Sequence, residues 1–272
     1  MCVILFSYQP NTSTPLVLGA NRDEFFKRPT AAAQFWDDKP NILAGRDLQA
    51  GGTWLGITQS GRFAAITNVR EPGVVVENPR SRGELTKDYL MGSQTPLSYL
   101  ESILKHQDRY AGFNLLVGEF SALNSSTTGN HLYYLSNRGE GIQELSSGTY
   151  GLSNHLLDSP WPKVIDGKAE LRSRLQEAGT DHGQIRQILE NPALADDHRL
   201  PETGVDYERE KALSAMFIAL PDYGTRTSTV LTMNKGQILF SEQNYHASSD
   251  GQPCLDGKPS IFKIDDSQQK AS

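Results

Sequence analysis

The sequence predicts an α+β fold built on mainly antiparallel sheets. Apolar runs of strand length open and close the chain, helical spacing occupies its middle, and turn formers separate successive strands. With no linker-like stretch, internal repeat or low-complexity tract, residues 1–272 read as one domain.

The elements follow in order. Residues 2–8 form a first apolar strand and Pro15–Ala20 a second, joined through the turn-rich Gln9-Pro10-Asn11. That pairing brings Asn21-Arg22-Asp23-Glu24, which follows the second strand, close to Cys2. A hairpin runs from Thr53–Thr58 to Arg62–Thr67, turning at Ser60-Gly61. Ser81-Arg82-Gly83-Glu84 reads as a capping box opening a helix to about residue 91. Thr95-Pro96 starts another, reaching about His106. Strands return at Phe113–Val117, His131–Leu135 and Tyr150–Asn154. Residues 163–176 and 184–190 carry helical spacing, the second with Asp181 and Gln184 as its cap. Polar, proline-broken residues 191–210 read as a loop or lid. Thr225–Thr232 and Gln237–Phe240 make a last hairpin, and residues 263–272 read as a frayed tail.

Composition narrows the function classes. A hydrophobic content of 37% and 21% charged residues are those of an ordinary soluble globular chain. A net charge of -6 argues against a nucleic-acid or anionic-membrane surface. No stretch approaches the about 18 apolar residues of a membrane span, and the N-terminal apolar run lacks the basic flank of a signal peptide. Two cysteines at opposite ends, Cys2 and Cys254, make neither a disulfide framework nor a zinc spacing, so a cytoplasmic, reducing location is expected. Seven arginines (Arg22, Arg28, Arg46, Arg62, Arg70, Arg80, Arg82) precede position 83. They are either scattered surface charges or the lining of a carboxylate or phosphate pocket.

Cys2 is the leading candidate for chemistry. Its small side chain permits removal of Met1, which would place a thiol and a free α-amine on one residue. The amine's ordinary pKa of about 7.7–8.0 suits a general base. The structural alternative is a small hydrophobe opening a buried strand. In the tetrad, Asp23 or Glu24 could hold the amine and Arg22 could favour thiolate, whereas the plain reading is a solvated turn. Strand geometry puts Arg22 and Asp23 on opposite faces, so only one addresses Cys2 directly. In the glycine-dense Gly51–Gly56, Trp54 reads as packing before ligand platform, and Arg46 before it could pair with the tetrad or cap a turn. Asn68 and Asn154 end strands, where amides can donate to an oxyanion or simply make turns. Arg226 lies among hydroxyls in Gly224–Val230, either solvated or anchoring an anion. The six histidines form no metal spacing, and His155 is the one best placed to reach Cys2.

Taken as an ordered set, Met1-Cys2-Val3-Ile4, Asn21-Arg22-Asp23-Glu24, Arg28-Pro29, Gly45-Arg46-Asp47, Gly52–Gly56, Thr67-Asn68, Ser81-Arg82-Gly83, Trp161-Pro162-Lys163 and Gly224-Thr225-Arg226 resemble the NRDE family, also called transport and Golgi organisation protein 2. The resemblance implies kinship with N-terminal nucleophile hydrolases and an αββα sandwich of two antiparallel sheets, most like the penicillin acylase and bile-salt hydrolase branch. By that analogy Cys2 is the nucleophile and Asp23 the carboxylate near its amine. Asn68 and Asn154 polarise the substrate, and Arg226 lies beside the thiol, with Asn21, Arg22, Glu24, Arg46 and Trp54 in support. The branch separates its early arginine and aspartate by two residues, whereas Arg22 and Asp23 are adjacent here. The implied activity is a cysteine amidohydrolase or acylase acting on a small-molecule linear amide or acyl group without cofactor. The alternative is a non-catalytic haem- or lipid-handling protein on the same fold.

Overall fold

A computed structural model describes residues 2–121, 129–248 and 253–265. The chain opens with β1 (Cys2–Tyr8), β2 (Leu16–Phe25), β3 (Thr30–Trp36), β4 (Lys39–Asp47), β5 (Leu55–Thr58) and β6 (Arg62–Asn68). Helices α1 (Gly83–Met91) and α2 (Pro96–Leu104) precede β7 (Phe113–Glu119), β8 (His131–Ser136), β9 (Ile142–Glu144) and β10 (Gly148–Leu152). Then come α3 (Pro162–Glu177), α4 (His182–Leu189) and α5 (Tyr207–Ala212). The chain ends on β11 (Tyr223–Asn234), β12 (Gln237–Ala247), β13 (Pro253–Leu255) and β14 (Ser260–Asp265).

These strands make two sheets of seven. One runs β10-β1-β2-β11-β12, with β13 and β14 both on β12; the other runs β3 to β9 in chain order. Strand pairs are antiparallel throughout. Period-two alternation assigns the faces. Ile4, Phe6 and Tyr8 with Leu16, Leu18 and Ala20 meet Leu55, Ile57, Phe63 and Leu116 in the core between the sheets. The opposite residues Val3, Leu5 and Val17 pack under α3 and α4 against Leu171, Ile185 and Leu189. Helices α1 and α2 cover the outside of the second sheet through Leu85, Tyr89 and Leu100. The result is the αββα sandwich expected of an N-terminal nucleophile hydrolase-like chain.

Several local expectations change. The tetrad lies inside β2 and does not follow it, because β1 and β11 flank β2 on both sides and supply hydrogen-bond partners through Phe25. Strands β3, β4, β9, β13 and β14 were not expected; their sequences lack a clean apolar alternation. Residues 263–265, read as frayed, pair with β12. The Ser81–Glu84 capping box does not form. Arg82 takes the N-cap position without a side-chain cap, and Glu84 instead accepts from Tyr110 Oη at 2.5 Å and pairs with Arg80. The caps at Thr95 and Asp181 are present, accepting from Ser98 N and Gln184 N. Within residues 191–210 a short 3-10 turn spans Asp197–Arg199, and Glu210 of α5 is buried against Arg70. Met1 and residues 266–272 of the tail lie outside the described residues. No described helix is long and apolar enough to cross a membrane.

Candidate active site

Alternation along β1 and β2 continues to their outer ends and positions the site. Cys2 is paired directly with Arg22, and both carry on the inter-sheet register of Ile4 and Ala20. The two side chains line a cavity of about 310 Å³ between the sheets. Cys2 is only 8% exposed and Arg22 7%. Arg22 Nη2 lies 3.5 Å from Glu24, whereas its Nη1 is buried without a hydrogen-bond partner. Asp23, Glu24, Arg46, Trp54 and Asn68 also line this cavity, so seven of the ten residues singled out in the sequence converge there.

The other three are elsewhere. Asn21 faces the helical layer, donating to the Leu189 and Met216 carbonyls at 2.8 and 2.9 Å and accepting from Ser228 Oγ. Arg226 is not among the residues that line the cavity. It occupies a β-bulge where the β2–β11 register shifts between Thr225 and Thr227, and its Nη1 donates to the Phe25, Phe26 and Arg28 carbonyls. Simple alternation from Thr227 and Val230 would have aimed Arg226 at the helical layer, and the bulge breaks that alternation. Asn154 is fully buried, and its amide donates to the Asn68 carbonyl at 3.0 Å in place of facing the cavity. Next to it, Ser153 Oγ donates to the Cys2 carbonyl at 3.2 Å. The Ser153–Asn154 pair thus ties the ends of β1 and β6 together and fixes Asn68 relative to Cys2. His155 does not line the cavity; its ring pairs with Ser159 at 2.7 Å.

The same bulge separates two threonines. Thr225 donates to Asp23 Oδ1 at 2.8 Å, while Thr227, paired with Arg22, lines the cavity with a buried hydroxyl that has no partner. Glu242 of β12 also lines the cavity, fully enclosed, with Oε1 accepting from Ala33 N at 2.7 Å across the sheet gap. Neither residue was anticipated. The available signal was a carboxylate, Glu242, just beyond the apolar run Ile238–Phe240. Lys163 was noticed only as part of Trp161-Pro162-Lys163. It is 5% exposed, with Nζ 3.5 Å from the Ala215 carbonyl.

Burial dominates the electrostatics. It pushes the Cys2 thiol up, with the Arg22 guanidinium and the Asp23 backbone N–H opposing. Burial also raises Asp23, against the pull of the Lys163 ammonium, and raises Glu242 against the Ala33 N–H. Lys163 itself is brought down to about 8 by burial, partly offset by Asp23. Among the described residues, no group of three or more His, Cys, Asp or Glu side chains is arranged to hold a metal ion.

The cavity opens beside a depression of about 720 Å³ that shares Glu24, Arg28, Asn68 and Arg82. Gly204, Val205, Asp206 and Arg209 of the proline-broken segment and α5 border it. Glu210 holds that segment in place through Arg70 and Thr203.

The protein-family model for Transport and Golgi organisation 2 matches residues 1–247. The chain belongs to this family. A Transport and Golgi organization protein 2 homolog from Bos taurus is 37% identical over 265 residues, covering 90% of this chain and 93% of the bovine one. The Homo sapiens homolog is 35% identical over the same shares, and the Drosophila melanogaster protein 32% over 89% and 92%. Among solved structures, the chain is similar to a mutant conjugated bile acid hydrolase from Clostridium perfringens, at 10% identity, 98% coverage of each chain and TM-score 0.48. It is also similar to a Caenorhabditis elegans N-acylethanolamine-hydrolyzing acid amidase ortholog, at 14% identity, 85% and 92% coverage and TM-score 0.41.

Proposed function

We propose that the chain is a cysteine amidohydrolase of the N-terminal nucleophile type, acting on a linear amide or acyl group. The observation that carries this reading is the placement of Cys2 at the outer end of β1, lining an open cavity with Arg22 as its cross-strand partner and Asn68 on the same lining. A residue meant only to fill a core has no need of a guanidinium and an amide around a shared space.

With Met1 removed, the α-amine sits on the nucleophile's own residue. The amine takes the Sγ proton, directly or through water, as Sγ bonds to the substrate carbonyl carbon. Burial raises the thiol's pKa, so the thiolate forms in the act of attack, with Arg22 stabilising the charge. The Asn68 amide donates to the oxyanion, a contribution of about 3–4 kcal/mol for one well-placed donor. Collapse breaks the C–N bond, and the leaving amine departs with the proton. Water then attacks the thioester with the same α-amine as base, releasing the acid and restoring the thiol. Asp23, buried and one residue beyond Arg22, orients the amine.

Rapid denaturation after mixing the chain with chromogenic linear acyl donors, followed by intact-mass measurement, tests this reading. It expects one acyl group per chain on Cys2 and none in Cys2→Ala. A chain that neither acylates nor turns over any donor, yet keeps its fold, would retire the hydrolase in favour of a binding protein on the same scaffold.

A further inference from the structure

We propose that the Cys2 cavity is an anion site: its ligand carries a carboxylate or phosphate group, seated at the N-terminus of α1 between Arg82 and Arg22. Three independent features place it there. Helix α1 is nine residues long, and its N-cap residue Arg82 offers no side-chain cap. Ser81, Arg82 and Gly83 line the cavity, so the helix presents its positive end to this space. The second feature is Arg22, which lines the same cavity with Nη1 buried and unpartnered. A buried guanidinium nitrogen without an acceptor forgoes a charge-assisted hydrogen bond, and an anion is the partner that restores it. The Thr227 hydroxyl, equally buried and unpartnered, is a further donor on that lining.

The third feature is how the charges around the cavity are matched. Each carboxylate on the lining already has a donor. Asp47 is held by Arg28 at 2.6 Å, Glu24 lies within 4 Å of both Arg22 and Arg28, Asp23 accepts from Thr225, and Glu242 accepts from Ala33 N. Arg82, by contrast, gives only Nη1 to the Gly112 carbonyl at 3.0 Å and has no carboxylate partner among the described residues. The lining therefore keeps a cationic surplus on a chain whose net charge is -6. A cavity of about 310 Å³ is at the small end of ligand sites, which suits a compact anionic head. Trp54 and Ile66 supply apolar lining for what is attached to it.

Only the description of that ligand as a substrate rests on the hydrolase reading, and the test is made without turnover. Full-length chain is titrated calorimetrically with inorganic phosphate, with glutarate and with neutral glutaramide. Saturable binding is expected for at least one anion and not for glutaramide; which anion binds distinguishes a phosphate head from a carboxylate. Arg82→Gln should weaken that binding by about tenfold or more, the scale of one charge-assisted contact. Because Arg82 also ties Gly112, a second variant guards against misfolding. Ser81→Glu adds a carboxylate where helices favour one, so it preserves the fold while repelling the ligand, and it should weaken binding at least as much. Anion binding by an unaltered chain that acylates with no donor would retire the hydrolase and leave the anion site standing. Failure of both anions to bind, equal binding of glutaramide, or undiminished binding in both folded variants overturns the proposal.

Discussion

Cys2 and Arg22 are direct antiparallel partners across β1 and β2, and both lie on the inter-sheet side, one 8% and the other 7% exposed. A thiol and a guanidinium so placed are held by the sheet ladder itself and not by flexible loops. The adjacent Asp23 falls on the opposite face, bonded to Thr225. Strand alternation thus divides the tetrad: Arg22 and Glu24 keep the inter-sheet register, Asn21 faces the helical layer, and Asp23, tied to Thr225, still borders the cavity.

Replacing the proposed nucleophile should separate chemistry from folding. Cys2→Ala is expected to lower turnover at least about a thousandfold while shifting the unfolding free energy by about 1–2 kcal/mol, the scale of removing one small buried group. Steady-state kinetics alongside denaturant unfolding reads both. Comparable activity in the variant would remove Cys2 from the reaction.

Gly52 packs against the start of α1. A Cβ added there would lie 2.5 Å from both C and O of Gly83, which are backbone atoms and cannot rotate aside. Gly52→Ala should therefore push the helix N-terminus away from the cavity, destabilise the fold by about 1–3 kcal/mol and weaken anion binding together. An unchanged melting temperature with intact binding would show the contact to be slack.

Arg70 and Glu210 form a buried ion pair, with side chains 6% and 7% exposed, and Glu210 also accepts from Thr203. Glu210→Gln leaves a buried guanidinium uncompensated, and a loss of about 3–5 kcal/mol is expected. Limited proteolysis should show earlier cleavage within residues 191–206, since α5 is their anchor. Cleavage at the same rate as in the unaltered chain would contradict that role.

His182 gives the acid limb of stability. Its ring nitrogens face the Ser241 and Thr232 hydroxyls at 2.7 and 3.0 Å, and burial lowers its pKa to about 4 from 6.5. Between those values the unfolded chain binds a proton that the folded chain does not, so this contribution is present above pH 6.5 and lost as pH falls toward 4. Asp23 and Glu242, raised by burial, act in the opposite sense, so the difference from His182→Gln isolates the histidine. Unfolding at pH 7 and pH 4.5 should show the unaltered chain losing on the order of 1–2 kcal/mol more than the variant. Parallel losses would remove His182 as the source.

Much of this was legible because it is periodic. Val3–Phe6, Leu16–Ala20 and the Arg62–Thr67 hairpin announce their strands, and the order of elements announces the α+β class. The residues that escaped depend on partners far along the chain. Nothing local to Arg226 tells of the bulge that turns it toward the Phe25 and Arg28 carbonyls, and nothing local to Asn154 tells that its amide meets Asn68 O. Glu242 and Thr227 look like ordinary strand residues until two sheets close over them. Ser81 and Glu84 have the spacing of a capping box, but Arg80 and Tyr110 take the Glu84 carboxylate first.

The mechanism stands on a free α-amine at Cys2, and the mass of the intact chain from its producing cell measures that directly. The account predicts a chain lacking one methionine, beginning at Cys2. A chain that retains Met1 throughout would contradict it.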